Sequence, residues 1–123
     1  MDNKSIDHEA LLRLYHVVGN DLSELEELRQ DYLADAPALV SQILESAEQR
    51  DNDNLRIAAH SLKSNARDLG VTQLANAAAV IEQACHNGQS DRIDELLSQL
   101  KSLEANTSAE IASLDMSKIV SEL

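Results

Sequence analysis

Residues that end helices are scarce in this sequence, and their positions divide it into long uninterrupted stretches. One proline, Pro37, and three glycines, Gly19, Gly70 and Gly88, occur among 123 residues. The stretches between them are rich in alanine and leucine, and hydrophobic residues make up 43% of the chain. Alanine and leucine have high helix propensities, whereas glycine and proline interrupt helices. The sequence therefore predicts an all-α domain rather than a sheet.

Apolar residues recur at intervals of three and four in five stretches, a spacing that places them on one face of a helix. The polar segments between the stretches fit loops of about two to five residues, which join antiparallel neighbours. The sequence thus predicts an up-and-down antiparallel four-helix bundle with an additional short N-terminal helix. The five predicted helices cover about residues 7–18, 22–49, 53–69 and 72–86, and a last stretch that opens at Ser90 or Asp91 and runs through Leu103.

The chain is long enough for one domain with its own core. Residues 1–6 are expected to form an N-terminal tail, residues 7–105 the bundle, and residues 106–123 a C-terminal helical extension. The polar run Asn106–Thr107–Ser108 marks a potential break before the extension. Beyond it, the apolar residues fit either a continued helix or a short extra one. The extension is expected either to pack on the bundle or to mediate dimerisation.

Local signals make further predictions about the second and fourth helices. Pro37 is expected to kink the second helix or to split it just before the proline. Asp21 or Asn20 is expected to cap the start of this helix, with Glu24 completing a capping box, and Thr72 is expected to cap the fourth helix. The Tyr32 ring should pack while its hydroxyl reaches water or a polar partner. The predicted core stripe of the second helix contains Leu25, Leu28, Tyr32, Leu39, Ile43 and Ala47.

Charge and composition exclude several classes of function. The net charge is −12 and aromatic residues make up 2% of the chain, so a surface that binds the phosphates and stacks the bases of nucleic acids is hard to build. No apolar run approaches the length of a membrane span. The single cysteine, Cys85, rules out an internal disulfide and is expected to be a small core residue. The N-terminus lacks the pattern of a signal peptide, so the protein is expected in the cytoplasm.

The stretch from Leu55 to Gly70 has two distinct faces when it is drawn as a helix. One face is an apolar stripe that consists of Leu55, Ala59, Leu62, Ala66 and Leu69. The other face carries His60, Lys63, Ser64 and Arg67 at spacings of three, four and seven residues. A histidine therefore lies on a polar ridge close to two cations, where packing does not require it. Gly70 follows as a typical helix stop.

This stretch resembles the phosphoacceptor helix of histidine-containing phosphotransfer (HPt) domains. The matching residues are His60, Leu62, Lys63, Ser64, Ala66, Leu69 and Gly70, with Ser64 at a position where glycine is frequent. The preceding segment from Tyr32 to Pro37 also resembles the family, with tyrosine where phenylalanine is usual. The resemblance covers roughly residues 7–104.

The resemblance implies a relay protein that is phosphorylated reversibly on His60. Lys63 would assist electrostatically, and Ser64, Arg67, Ala59 and Ala66 would contribute to the phosphate surroundings and to receiver docking. The implied partners are receiver domains of response regulators or a hybrid histidine kinase, which would supply the phosphorylated aspartate and its Mg²⁺. The sequence contains no glycine-rich phosphate loop and no acidic cluster spaced for a metal. The chain is therefore expected to have no cofactor of its own and to be a phosphocarrier, not an enzyme.

Two other functions fit part of the pattern. A helical adaptor that binds partners without phosphorylation would suit the apolar stripes, and the phosphotransfer domain of a chemotaxis-type kinase would carry a similar histidine. The other three histidines, His8, His16 and His86, have no spacing that suggests a shared metal ion. Replacement of His60 by glutamine separates a relay from an adaptor, because only the relay needs the imidazole.

Overall fold

The computed structural model describes residues 6–89 and 93–121, and six α-helices account for most of this part of the chain. Helices α2 to α5 form the predicted antiparallel four-helix bundle: α3 packs against both α2 and α4, and α5 closes the bundle against the same two helices. The short α1 packs against α2, α3 and α6. The helices are α1 (His8–Val17), α2 (Leu22–Glu48), α3 (Asn52–Asp68), α4 (Thr72–His86), α5 (Asp94–Ser113) and α6 (Met116–Val120).

Aspartates cap four of these helices by accepting hydrogen bonds from backbone amides of the first turn, which otherwise lack partners. Asp21 caps α2, as predicted, and accepts from the amides of Ser23 (3.0 Å) and Glu24 (3.4 Å). Asp7, Asp51 and Asp115 act in the same way on α1, α3 and α6. The prediction for α4 was wrong, because the N-cap is Val71, which offers no side-chain hydrogen bond, and Thr72 is already helical.

Helix α2 is one continuous helix of 27 residues that includes Pro37, so of the two expected outcomes, a kink or a split, the split does not occur. Its buried face also differs in part from the predicted stripe. Leu28, Leu39 and Ala47 are only half-buried, whereas Arg29, Ala36, Val40 and Ser46 are buried. The buried residues of α2 still follow one another at intervals of three or four, as on one helix face, and the three half-buried positions lie at its margins.

Helix α5 continues through residues 106–108, so the potential break there does not occur and the continued helix, one of the two possibilities left open, is formed. Thr107 is 1% exposed, and its hydroxyl donates to the carbonyl of Leu103 at 2.8 Å. Ser108 donates to the Glu104 carboxylate at 2.6 Å. The small polar side chains thus find partners inside the helix, and Thr107 packs in the core.

The segment after α5 packs on the bundle. Met116 and Ile119 of α6 are buried in the core. The guanidinium of Arg29, in α2, donates to the carbonyls of Ile111 (3.1 Å) and Leu114 (2.6 Å) at the C-terminal end of α5. Of the two arrangements expected for the extension, the structure therefore has the packed one.

The N-terminal segment is tied to the end of α3. Ile6 was expected in the tail, yet it is 3% exposed and forms an isolated antiparallel bridge with Val71. The amide of Asp7 donates to the carbonyl of Gly70 at 2.8 Å. Residues 1–5 and the predicted helix start at Ser90 or Asp91 lie outside the described residues.

Cys85 and Tyr32 were both predicted to pack in the core, and both are buried. Cys85 is buried as expected, and burial raises the pKa of its thiol. The Tyr32 ring is buried as well, but its hydroxyl has no hydrogen-bond partner in the described residues, contrary to the expectation. Burial first, and the nearby Glu104 carboxylate second, raise the pKa of Tyr32 far above its ordinary value.

Candidate functional site

Helix α3 has the two faces that its sequence pattern predicts. The apolar stripe is buried at every position, at 0–5% exposure, and consists of Leu55, Ala59, Leu62, Ala66 and Leu69. His60 lies on the opposite side, and its side chain is 57% exposed. The stripe fixes the rotation of the helix about its axis, because turning it would expose leucine. Core packing therefore holds His60 at the surface.

The turn between α3 and α4 brings a carboxylate level with this histidine. Three residues, Leu69 to Val71, separate the two antiparallel helices. His60 lies eight residues before the end of α3 and Glu82 ten residues after the start of α4, or about 12 and 15 Å along the two axes. The hairpin thus places Glu82 beside His60 although the two are 22 residues apart in sequence.

Glu82 binds both His60 and Lys63. Its Oε2 lies 2.8 Å from Nδ1 of His60, and its Oε1 lies 2.5 Å from Nζ of Lys63. The side chains of Glu82 and Lys63 are 13% and 20% exposed, so both are much less accessible than the imidazole. A carboxylate can only accept a hydrogen bond, so Nδ1 must carry the proton. In the neutral ring, Nε2 then keeps its lone pair, and it is available on the exposed edge.

The electrostatics of Glu82 favour its charged form. The hydrogen bond from Lys63 is the largest cause that holds the pKa of this carboxyl below its ordinary value of 4.5; the hydrogen bond from His60 acts in the same direction, and partial burial opposes both. A lowered folded-state pKa means that the contribution of these contacts to stability is complete above pH 4.5 and is lost as the pH falls through the lowered value. The arrangement is therefore intact at neutral pH.

The structure brings together some of the predicted site residues and not others. Ser64 is half-buried one turn after His60, and Arg67 is exposed at the same ridge. Ala59 and Ala66 are 0% exposed in the core. The expectation that these two alanines contribute to a docking surface does not hold, because their side chains offer no area to a partner; they belong to the stripe that packs α3.

An open groove of about 410 Å³ lies beside His60 on the side of α2. His60, Ser61, Ser64 and Asn65 form its α3 wall. The α2 wall contains Asp35, Ala38, Leu39 and Gln42. The imidazole therefore stands between a polar contact on the α4 side and a mixed apolar and polar groove on the α2 side.

Sequence reasoning missed Glu82 as a site residue. A signal was present: Glu82 is the single acid among the residues of α4, a helix that is otherwise alanine-rich and uncharged apart from its terminal His86. An isolated acid on a helix that follows a basic ridge across a tight turn is a candidate partner for that ridge. Which face of α4 meets α3 depends on packing, and the spacing of residues within α4 does not show it.

Neither a metal-binding cluster nor a membrane-spanning helix is found in residues 6–89 and 93–121. These residues include no group of three or more histidine, cysteine or acidic side chains placed to hold a metal ion. Within the same ranges, no helix combines the length and apolar character needed to cross a bilayer.

Comparison with known proteins bears on the family and the fold of this chain. No protein with a curated description matches the sequence. The crystal structure of histidine-containing phosphotransfer protein B (HptB) from Pseudomonas aeruginosa PAO1 superposes with a TM-score of 0.78, over 90% of this chain and 94% of that chain, at 21% identity. At this identity the likeness establishes the fold. The Hpt domain family model matches residues 27–110, which include α3, α4 and the whole His60 motif. The chain therefore belongs to the Hpt domain family.

Proposed function

We propose that this protein relays a phosphoryl group between aspartates of receiver domains through reversible phosphorylation of His60. The observation that carries the proposal is the state of the imidazole: it is more than half exposed, and its Nδ1 proton is held by Glu82, so that Nε2 is free to act as a nucleophile. Membership of the Hpt domain family supports phosphoryl transfer as the chemistry, and the contacts of His60 favour Nε2 as the atom that accepts the group.

The transfer proceeds by attack of Nε2 on the phosphorus of the receiver's aspartyl phosphate. The P–N bond forms, the P–O bond to the aspartate breaks, and the aspartate leaves as a carboxylate. The Nδ1 proton stays in place, so the ring gains positive charge as the bond forms, and the Glu82 carboxylate at 2.8 Å faces that charge. Catalysis of phosphoryl transfer depends mainly on positioning and charge neutralisation. Return of the group to a second receiver reverses each step.

Lys63 supplies a cation one helical turn from the acceptor. Its ammonium is held by Glu82, the carboxylate that also binds His60, so the cation stays beside the imidazole. A single ion pair of this kind on a helix surface contributes only about 0.2–0.5 kcal/mol, so Lys63 assists without determining the transfer rate alone. Ser64 and Arg67 lie within the same ridge and are proposed to border the bound phosphate and the receiver.

The remaining machinery is proposed to come from the partner. The receiver would provide the Mg²⁺ that neutralises the phosphate, and a kinase would provide the first phosphoryl group. The chain then acts as a phosphocarrier with no turnover of its own. A buried free thiol at Cys85 is in keeping with operation in the reducing cytoplasm.

The test is a transfer assay with the wild-type protein. A panel of receiver domains is phosphorylated with acetyl phosphate and Mg²⁺, freed of the small donor, and mixed with the chain. We expect intact-protein mass spectrometry to show one added phosphate that is lost in acid, and fragmentation to place it on His60 rather than on His8, His16 or His86. Failure of every receiver to label the folded protein, or a phosphate on another residue, would contradict the proposal.

Replacement of Glu82 by alanine is expected to slow the transfer without preventing it. Without the carboxylate, the imidazole is free to place its proton on Nε2, which removes the attacking lone pair, and the charge on the ring is no longer compensated. Loss of a carboxylate that orients a metal-bound histidine typically costs about 10- to 100-fold, and by analogy we expect a decrease of about that size in the single-turnover rate. Nitrogen NMR of the His60 ring should show a larger Nε2–H population.

The control for this variant is Gln83→Ala, at the neighbouring exposed position of α4. It should leave both the rate and the tautomer unchanged. An unaltered rate in Glu82→Ala, with the change in tautomer present, would show that the orientation of the ring does not limit transfer.

A further inference from the structure

The two sides of the His60 imidazole have different surroundings. On the α4 side, Glu82 binds both the ring and the Lys63 ammonium. On the α2 side lies the open groove of about 410 Å³, in which His60 and Ser64 form part of the α3 wall. The two nitrogens of an imidazole point in different directions, and Nδ1 faces Glu82 at 2.8 Å. Nε2, the atom proposed to accept the phosphoryl group, therefore points away from α4, to the side of the groove and the solvent.

Ser64 lies on the same face of α3 as His60, one turn later, and is half-buried. Side chains four residues apart on a helix are neighbours, with about 5–6 Å between their Cβ atoms. Because side chains on a helix lean towards its N-terminus, the Ser64 side chain leans over the turn that contains His60. Both residues line the groove on the α2 side. The Ser64 hydroxyl therefore lies on the same side of the imidazole as Nε2.

The Ser64 hydroxyl makes no hydrogen bond within residues 6–89 and 93–121. A serine or threonine inside a helix can donate to a backbone carbonyl three or four residues earlier. Ser98 and Ser113 of α5 bond in this way to the carbonyls of Glu95 and Glu110, at 2.6 and 2.8 Å. Ser64 has no such bond, so its hydroxyl is available to a ligand that binds beside His60.

The charges around His60 leave a phosphoryl group only partly compensated. A phosphorylated side chain carries about two negative charges near neutral pH. The Lys63 ammonium is paired with the Glu82 carboxylate, so the two charges largely cancel. Among the described residues that line the groove, Asp35 is the one acidic or basic residue besides His60, and its carboxylate repels an anion. A neutral donor beside Nε2 therefore adds stabilisation that these charges do not provide.

We propose that the Ser64 hydroxyl donates a hydrogen bond to an oxygen of the phosphoryl group on Nε2 of His60. The bond stabilises both the phosphorylated chain and the transfer that forms it, because a hydrogen bond to a charged acceptor is stronger than one between neutral groups. This inference rests on the proposed function, since His60 must be the acceptor. It gives Ser64 a role that glycine, which is frequent at this position, cannot fill, because glycine has no side-chain donor.

The first test is the substitution Ser64→Ala, which removes the hydroxyl and leaves the rest of the side chain in place. Single-turnover transfer is measured from a phosphorylated receiver that labels the wild-type chain. We expect the rate to fall about tenfold, the lower end of the effect of losing a hydrogen bond to a charged group. The matched control is Ser102→Ala, at an exposed serine of α5, the helix that packs on α2 and α4. It should transfer at the wild-type rate.

A second measurement follows the bound phosphoryl group without any receiver. Phosphoramidate gives its phosphoryl group to the imidazole and leaves as ammonia, so it loads His60 chemically. The phosphorus NMR signal that is absent from His60→Gln belongs to phosphorylated His60 and is followed against pH. A donated hydrogen bond favours the dianion, so the second pKa of the phosphoryl group should rise in Ser64→Ala by about half a unit, a threefold change in the ionisation constant. It should stay unchanged in Ser102→Ala.

Ser64→Gly separates a hydrogen bond from a need for space. Glycine also lacks the donor but leaves more room, so we expect the same fall in rate and rise in pKa as in Ser64→Ala, with circular dichroism to verify the helices. The wild-type rate and pKa in Ser64→Ala, or faster transfer by Ser64→Gly, would overturn the inference and leave the relay intact. Failure of every receiver to label the wild type would overturn the relay, whereas chemically loaded His60 would still decide the role of Ser64.

Discussion

Replacement of His60 by glutamine is expected to lower phosphoryl transfer to the chain by at least about 1,000-fold, to the limit of detection, because removal of the attacking atom eliminates the reaction path. The fold should not change, since the side chain is 57% exposed and substitutions of exposed residues usually alter the free energy of unfolding by less than about 0.5 kcal/mol. Glutamine can still donate a hydrogen bond to Glu82, so the carboxylate keeps a partner. The measurement is label transfer from a phosphorylated receiver, together with urea unfolding.

The matched control is His86→Gln, at an exposed histidine on the last residue of α4. It should be labelled like the wild type. Wild-type labelling of His60→Gln would contradict a relay through His60. An adaptor that acts by binding alone would keep its biological function in His60→Gln, so a functional assay of this variant also separates the two alternatives that the sequence leaves open.

Replacement of Gly70 by alanine should have the largest effect on stability among the substitutions considered. Gly70 ends α3 with φ +75°, and a Cβ at this position would lie 2.4 Å from the backbone oxygen of Asp7. Left-handed backbone costs an alanine about 1–2 kcal/mol, and the clash in addition displaces the start of α1 and breaks the hydrogen bond from Asp7 to Gly70. We expect the free energy of unfolding to fall by about 3 kcal/mol in total.

Gly88→Ala is the control that isolates the clash. Gly88 ends α4 with φ +69°, and its amide and that of the next residue bond back to Cys85 and Ala84, just as the amides of Gly70 and Val71 bond to Arg67 and Ala66. Among the described residues, nothing lies within 4 Å of a Cβ at Gly88, so only the backbone cost of about 1–2 kcal/mol is expected. An equal decrease in the free energy of unfolding in Gly70→Ala and Gly88→Ala would show that the start of α1 moves away from the methyl group without loss of stability.

Much of this protein follows from local sequence. Scarce helix breakers and apolar spacing predict the helices of the bundle, and the stripe from Leu55 to Leu69 is buried as predicted, which leaves His60 exposed. The glycine after Leu69 predicts the end of α3. These features succeed because helix propensity, capping and the 3.6-residue period act over a few neighbouring residues. The same locality explains the recognition of the His60 motif, since its members lie on α3 and on the two residues that follow it.

The errors arose where packing between distant segments overrides local preference. A run of small polar residues suggested a break at Thr107, but its hydroxyl bonds within the helix and the core covers it. Arg29 donates a hydrogen bond to the carbonyl of Ile111 near the end of α5, although the two residues are 82 positions apart in sequence. Ile6 lies in the core because it forms a β-bridge with Val71 and because the amide of Asp7 donates a hydrogen bond to the carbonyl of Gly70.

The sequence by itself predicted the fold class and pointed to His60 as the proposed acceptor, with Lys63 close to it. Only the tertiary structure decided which nitrogen of His60 is available, because that depends on Glu82, which the α3–α4 hairpin brings within 2.8 Å from 22 residues away. It also removed Ala59 and Ala66 from the surface and placed α1 beside the acceptor helix. The physical reason is that periodicity along one helix shows which residues share a face, whereas the face that a second helix presents to the first is set by the packing of both.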